Sequence, residues 1–167
     1  MPWRPMVPQD LDGVQELADA IHPDHPESMD VFAERLRLYP RGCHVLGAGR
    51  SLMGYDISHP WHLGKPPALN SRLGEIPGDA STYYIHDVAL LPEARGKGYA
   101  SQAVEELALH ACAVGLGNLS LVAVNRSQIF WEKLGFHATA VPGLDGKLLS
   151  YGSDAVLMMR DLTKAKD

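Results

Sequence analysis

The 167-residue sequence carries 15 basic and 20 acidic side chains for a formal charge of -5, with 46% hydrophobic and 21% charged residues. That length and mix suit one domain, residues 1–167, with a core of its own, and exclude a disordered chain. Lysine and arginine form no basic face, which argues against a nucleic-acid partner, and the apolar runs fall short of the ~20 residues of a membrane helix. No export signal is visible, and Cys43 and Cys112 read as reduced thiols, so the expectation is a cytoplasmic protein without membrane contact.

Trp3 to Met6 reads as a short strand, after which Leu11, Val14, Leu17, Ala18 and Ile21 mark a helix that Pro23 stops. Ser28 suits the N-cap of a second helix, with Phe32, Ala33 and Leu36 inward and Pro40 as its end. Cys43 to Leu46 and Leu52 to Ile57 form a hairpin. From His59 to Thr82 four prolines and three glycines predict a long ordered loop, and loops of that length in compact domains tend to be lids or binding segments. Tyr83 to Leu91 is the strongest strand, ended by Pro92. Ala103, Val104, Leu107, Ala108 and Ala111 mark the next helix, and Leu119 to Val124 a buried strand. A short helix with Ile129, Phe130 and Leu134 stops at Gly135. Strands at His137 to Val141 and Ala155 to Met159 close the chain around a turn through Gly143, Asp145 and Gly146.

Between strand and helix lies Arg95-Gly96-Lys97-Gly98-Tyr99-Ala100. Glycines there let the backbone approach phosphate oxygens, and the helix N-terminus with Arg95 and Lys97 favours negative charge, so a pyrophosphate fits; a plain strand-to-helix turn with solvated basic residues is the competing reading. A Walker loop fails because Tyr99 and Ala100 follow Gly98 with no hydroxyl for magnesium. A dinucleotide fingerprint fails because Ser101 stands where its third glycine belongs.

Arg95, Gly98 and Ala100 match the acyl-CoA loop of the GNAT superfamily of N-acetyltransferases, written Arg or Gln, two residues, Gly, one residue, Gly or Ala. The lead-in Val88-Ala89-Leu90-Leu91-Pro92-Glu93, the segment from Asn125 to Lys133-Leu134-Gly135-Phe136 and the closing Asp154 to Met159 resemble other parts of that family. The resemblance implies an α/β (α+β) fold, a single-domain mixed sheet with splayed central strands flanked by helices. It further implies acetyl-CoA as cosubstrate, with pantetheine against Val88, Ala89 and Leu90 and pyrophosphate in the turn from Arg95 through Gly96, Lys97, Gly98, Tyr99 and Ala100 to Ser101. Asn125 would bond the pantetheine or cap the following helix.

The implied reaction is direct acetyl transfer to an amine of a small molecule or peptide. An alkylammonium must first lose a proton, and imidazole titrates near neutrality, so His86 is the base expected from the strand that feeds the cofactor loop. Regular alternation puts Tyr84, His86, Val88 and Leu90 on one face and Asp87, the second candidate, on the other. Tyr84 would border a water chain if His86 were only packing. An N–H near Leu90 would polarise the thioester carbonyl, a role implied by the resemblance.

Trp131 stands where the family commonly places a tyrosine that protonates the leaving thiolate, and an indole cannot donate that proton. Solvent, Tyr99 or Tyr151 remain as donors, and Trp131 either packs on the cofactor or fills the core. The substitution also motivates the alternative of a noncatalytic acyl-CoA-binding module or sensor. His22 with His25, and His59 with His62, give two ligands apiece, fewer than zinc takes, so no metal is expected. His59, Trp61 and His62 are expected to line the substrate mouth or to stabilise the loop. The oligomeric state is left open, a homodimer included.

Overall fold

The computed structural model describes residues 3–48, 51–141, 144, 148, 151–152 and 154–162. Strands β1 (Trp3–Pro5), β2 (Cys43–Ala48), β3 (Ser51–Trp61), β4 (Thr82–Leu90), β5 (Asn118–Ala123), β6 (His137–Ala138) and β7 (Val156–Asp161) form one mixed sheet in the order β1-β2-β3-β4-β5-β7-β6. Helices α1 (Leu11–Ile21), α2 (Met29–Leu38), α3 (Tyr99–Ala113) and α4 (Gln128–Lys133) flank it. The turn through Gly143, Asp145 and Gly146 lies outside the described residues.

Apolar positions at helical spacing bury the helices against the two faces. Val14, Leu17 and Ala18 of α1 and Phe32 and Leu36 of α2 pack with Val45, Tyr55, Ile57 and Ala89 on one face. On the other, Val104, Leu107 and Ala111 of α3 pack with Tyr83, Ile85, Leu119, Leu121 and Met158. Each such large side chain contributes roughly 1.5–3 kcal/mol of burial. The α2 face is wider than its apolar spacing implies, because Glu34 and Arg35 are buried while Ala33 is half-buried.

The predicted loop begins later than its prolines suggest. Strand β3 runs on through His59 and Pro60 to Trp61, paired with Tyr84, Tyr83 and Thr82 of β4. Strand β2 has already ended opposite Ile57, so Pro60 lies beyond that ladder and its missing N–H breaks no bond there. The loop is therefore residues 62–81. At the other end of the chain the strand expected over His137 to Val141 is only two residues long. In α4, Ile129 and Phe130 are exposed and Trp131 is the buried residue.

Two irregularities shape the sheet around β4. The parallel ladder between β4 and β5 holds only Tyr83 to Leu119 and Tyr84 to Ser120. Thr82 Oγ1 pins that end, bonding Asn118 Oδ1 at 2.6 Å and Ser120 Oγ at 2.7 Å. Beyond it the strands diverge, which is the expected splay. On the β3 side the register shifts from Ile57 opposite Asp87 to Ser58 opposite Ile85, so His86 is the extra residue of a β-bulge.

The bulge reverses the alternation of β4. Before it, Tyr83 and Ile85 face α3; after it, Val88 and Leu90 do, while Ala89 joins the α1 and α2 core. His86 bonds Glu27 ahead of α2, and Asp87 bonds His22 at the end of α1. The expectation that His86 shares a face with Val88 and Leu90, and that Asp87 lies opposite, is thus corrected. His86 and Asp87 both point to the α1–α2 side.

Candidate active site

A cleft of about 460 Å³ opens where β4 and β5 part. One end is lined by Val88, Ala89 and Leu90 of β4, Val124 and Asn125 after β5, Arg95, Ala100, Phe130 and Trp131. At the other stand His22, His25 and Glu27 from the α1–α2 connection, with His86, Leu69 and Tyr151.

The first end is mostly main chain. Leu91 N donates to Met53 O of β3, so by strand alternation the amides of Ala89 and Asp87 point to β3 and those of Val88 and Leu90 point into the splay. There β5 supplies no ladder partner. Leu90 O accepts from Arg95 Nε at 3.2 Å, which ties the glycine turn to the strand. Gly96 and Gly98 sit at φ 75° and 83°, and a Cβ built on either would meet nothing within 4 Å. Gly98 is the N-cap of α3, and no side chain caps that helix. The turn is therefore an exposed, open cradle before a 15-residue helix, a form that accepts a phosphate. Acyl-CoA fits these residues.

Asn125 and Arg126 both have positive φ, 54° and 60°, a conformation non-glycine residues rarely adopt in succession. Asp154 Oδ2 accepts from Arg126 N at 3.0 Å, and Asn125 lines the cleft. Trp131 packs edge-on against Phe136 with ring centroids 5.5 Å apart, filling the core, and it also lines the cleft.

The second end is built from side chains. His86, its side chain 3% exposed, donates Nε2–H to Glu27 Oε1 at 2.6 Å, and its buried Nδ1 has no hydrogen-bond partner. Glu27, 7% exposed, also accepts Asn70 N on Oε2 at 3.1 Å. Burial favours its protonated form, but the His86 charge and these bonds outweigh burial and lower its pKa. With its Nε2–H held by the carboxylate, the ring in its neutral form carries its lone pair on Nδ1. Alongside, Asp87 accepts from His22 Nε2 at 3.1 Å and from Tyr55 Oη at 2.6 Å. Burial opposes both ionised forms, yet the pair prevails, lowering the Asp87 pKa and raising that of His22.

Loop 62–81 closes this end through backbone bonds. Glu34 accepts Leu73 N at 2.6 Å and Gly74 N at 3.1 Å, Asn70 Oδ1 accepts Ser28 N at 2.8 Å, and Pro67 O accepts the Tyr151 hydroxyl. Tyr84 is buried behind the wall, its hydroxyl bonded to Tyr151. Burial pushes the Tyr151 pKa up to about 12.

Of the sequence-expected residues, His86, Val88, Ala89, Leu90, Arg95, Ala100, Asn125 and Trp131 line the cleft. Gly96, Lys97, Gly98, Tyr99 and Ser101 complete the adjoining turn and helix start, and Tyr84 stands behind. His59, Trp61 and His62 do not line the cleft; the loop residue that does is Leu69. Glu27, His22, His25 and Leu69 were missed. The crowded segment His22-Pro23-Asp24-His25-Pro26-Glu27 was the signal, since four ionisable side chains stand in six residues between two helices.

The sequence profile of the acetyltransferase (GNAT) family matches residues 11–136, and the chain belongs to that family. Among curated proteins no match is found. Solved structures share the fold at low identity. A GphF GNAT-like decarboxylase in complex with isobutyryl-CoA superposes with TM-score 0.78 at 18% identity over 97% of this chain and 100% of that one. The NatC complex bound to Gag peptide and CoA gives 0.71 at 17% identity over 96% and 98%. N-acetylglutamate synthase from Neisseria gonorrhoeae, complexed with coenzyme A and N-acetyl-glutamate, gives 0.68 at 17% identity over 96% of this chain and 35% of that one.

Proposed function

We propose that this protein transfers the acetyl group of acetyl-CoA directly to an amine of a small molecule or peptide, without a covalent enzyme intermediate. The observation that carries the reading is the unpaired wedge between β4 and β5, with the glycine cradle at one end and the bare Nδ1 of His86 in the wall of the other. Neighbours of this fold include complexes of CoA with a peptide and of CoA with an N-acetylated amino acid, which supports an amine acceptor.

In this reading the turn from Arg95 to Ser101 receives the pyrophosphate, and the Val88 and Leu90 backbone holds the pantetheine arm with Asn125 opposite. The N–H groups facing the splay polarise the thioester carbonyl, an effect worth about 3–4 kcal/mol in comparable sites. His86 Nδ1 takes the proton of the incoming ammonium while Glu27 retains Nε2–H and stabilises the resulting imidazolium. The neutral amine then attacks the carbonyl carbon, the C–N bond forms and the C–S bond breaks. A proton must reach the departing thiolate. Trp131 offers no acid and the Tyr151 hydroxyl is committed to Pro67, which leaves solvent, Tyr99 or His22, the last favoured in its protonated form by Asp87, to supply it.

An acceptor screen that reports free CoA thiol and the mass of the acylated amine tests the reading. Equal amounts of thiol and acetylated amine are expected. Acetyl-CoA bound without thiol release would favour the noncatalytic binding module, and thiol released without acylated amine would point to a different acyl-CoA reaction.

A further inference from the structure

Beyond Glu27 and Tyr151, α2, β3 and β4 enclose polar side chains that the chemistry above leaves unused. Arg35 of α2 is 1% exposed. Its Nη1 donates to Ser71 O at 3.0 Å and Glu34 Oε1 at 3.2 Å, whereas its buried Nε and Nη2 have no hydrogen-bond partner. Those two nitrogens share one edge of the guanidinium, the fork that receives a carboxylate through two parallel bonds. Buried donors without partners are uncommon in native chains and call for a ligand or a water to complete them.

Acceptors stand beside this fork. His59, also 1% exposed, donates Nδ1–H to Pro60 O at 2.9 Å, and burial lowers its pKa to about 3, so its ring is neutral. Its Nε2 is then a lone pair, and it too has no partner. His86 Nδ1 is the second such acceptor. The groups are neighbours: His59 pairs with Tyr84 across the strands with ring centroids 5.7 Å apart, and Arg35 interacts with His59, Glu27, Tyr84 and Tyr151.

Two open donors on a cation and two open acceptors complement a ligand with a carboxylate beside an N–H-bearing amine. We propose that the acceptor is an amino acid, its carboxylate on the Nε and Nη2 edge of Arg35 and its amine at His86 Nδ1, with His59 Nε2 accepting a further N–H. The proposal rests on the acetyl-transfer reading and narrows its acceptor. Glu27, Tyr151 and His86 line the cleft while Arg35 and His59 lie behind them, so the subsite requires the amino acid to pass between Glu27 and Tyr151. The same two side chains hold Asn70 and Pro67 of the loop, which makes loop 62–81 the cover of this subsite.

The test compares the twenty proteinogenic amino acids with their counterparts lacking the α-carboxylate, by CoA release with the full chain, and measures binding of the N-acetyl amino acids to CoA-loaded protein by calorimetry. At least one amino acid should exceed its decarboxylated counterpart tenfold in kcat/KM. Arg35→Gln should weaken binding of the matching N-acetyl amino acid at least tenfold, about 1.4 kcal/mol, with CoA affinity unchanged. Arg35→Lys, which keeps the charge without the fork, serves if the glutamine variant fails to fold and should also lose affinity. Counterparts that match or surpass the amino acids, no binding by any N-acetyl amino acid, or an Arg35 variant that lowers only Tm would overturn the proposal and leave Arg35 as a water-completed anchor of the loop. Arg35-dependent binding without CoA release from any acceptor would instead count against acetyl transfer and for the subsite.

Discussion

At the cofactor end of the cleft the chain offers backbone: strand amides turned into the splay, glycines at positive φ, a helix start without a side-chain cap. At the acceptor end it offers side chains brought from far apart, as when Glu27 and His86 meet across 59 positions or Tyr151 and Pro67 across 84. A ligand held by main chain is recognised through geometry that any side chain at a non-glycine position preserves. One held by converging side chains is recognised through identities that a single substitution erases. The two ends should therefore respond to mutation differently, the first through cofactor affinity and the second through rate, acceptor constant and pH dependence.

The largest separation should come from His86→Gln, which removes the proton acceptor and should lower the transfer rate constant by roughly 10²-fold with acetyl-CoA affinity nearly intact, as read by single-turnover kinetics and calorimetry. A folded variant with unaltered turnover would return His86 to the role of a packing residue.

Gly98→Val is the complementary break, expected to weaken acetyl-CoA binding at least tenfold, about 1.4 kcal/mol, with little change in acceptor constant once cofactor saturates. Because Gly98 has φ 83°, the substitution strains the turn even where space is open, so its Tm must be compared with that of Lys97→Ala to separate strain from crowding.

Glu27→Gln keeps a hydrogen-bonding side chain but removes the charge that favours the imidazolium. Turnover should fall roughly tenfold and the acidic limb of the rate profile should move to lower pH. Shortening loop 62–81 should raise the acceptor constant severalfold and leave the acetyl-CoA constant nearly unchanged; the opposite pattern would put the loop at the cofactor end.

The smallest effect is on stability. The raised pKa of His22 contributes stability present below its unfolded pKa and lost as pH rises through the folded one. The lowered pKa of Asp87 contributes stability present above its unfolded pKa and lost as pH falls through the folded one. The pair thus stabilises most between roughly pH 4 and 6.5. Denaturant unfolding of His22→Gln should show a loss of about 1 kcal/mol at pH 5.5 that shrinks by pH 9. A loss independent of pH would mean that packing, and not the ion pair, is what His22 supplies.

The same contrast decides what could be read from the residues. Arg95, Gly96 and Gly98 lie together in the chain, and local spacing carries their chemistry, as it does the apolar faces of α1 and α3. The bulge at His86 has no local signature, since no glycine or proline marks it and only the ladder with β3 reveals the extra residue. It inverted the expected faces of Asp87 and Val88. Glu34 and Arg35 read as the polar side of an amphipathic helix because the loop that buries them lies some 40 residues away and bonds them through backbone groups. Pro60 reads as part of the loop after Ile57 because its position beyond the β2 ladder cannot be known before the sheet is assembled.

Nitrogen-15 NMR of the His86 ring, recorded at alkaline pH, tests the central claim most directly. The account predicts a neutral ring protonated on Nε2 and bare on Nδ1, with that preference weakened in Glu27→Gln. A ring protonated on Nδ1 would contradict it, since the atom turned toward the acceptor would then carry the proton it is required to take.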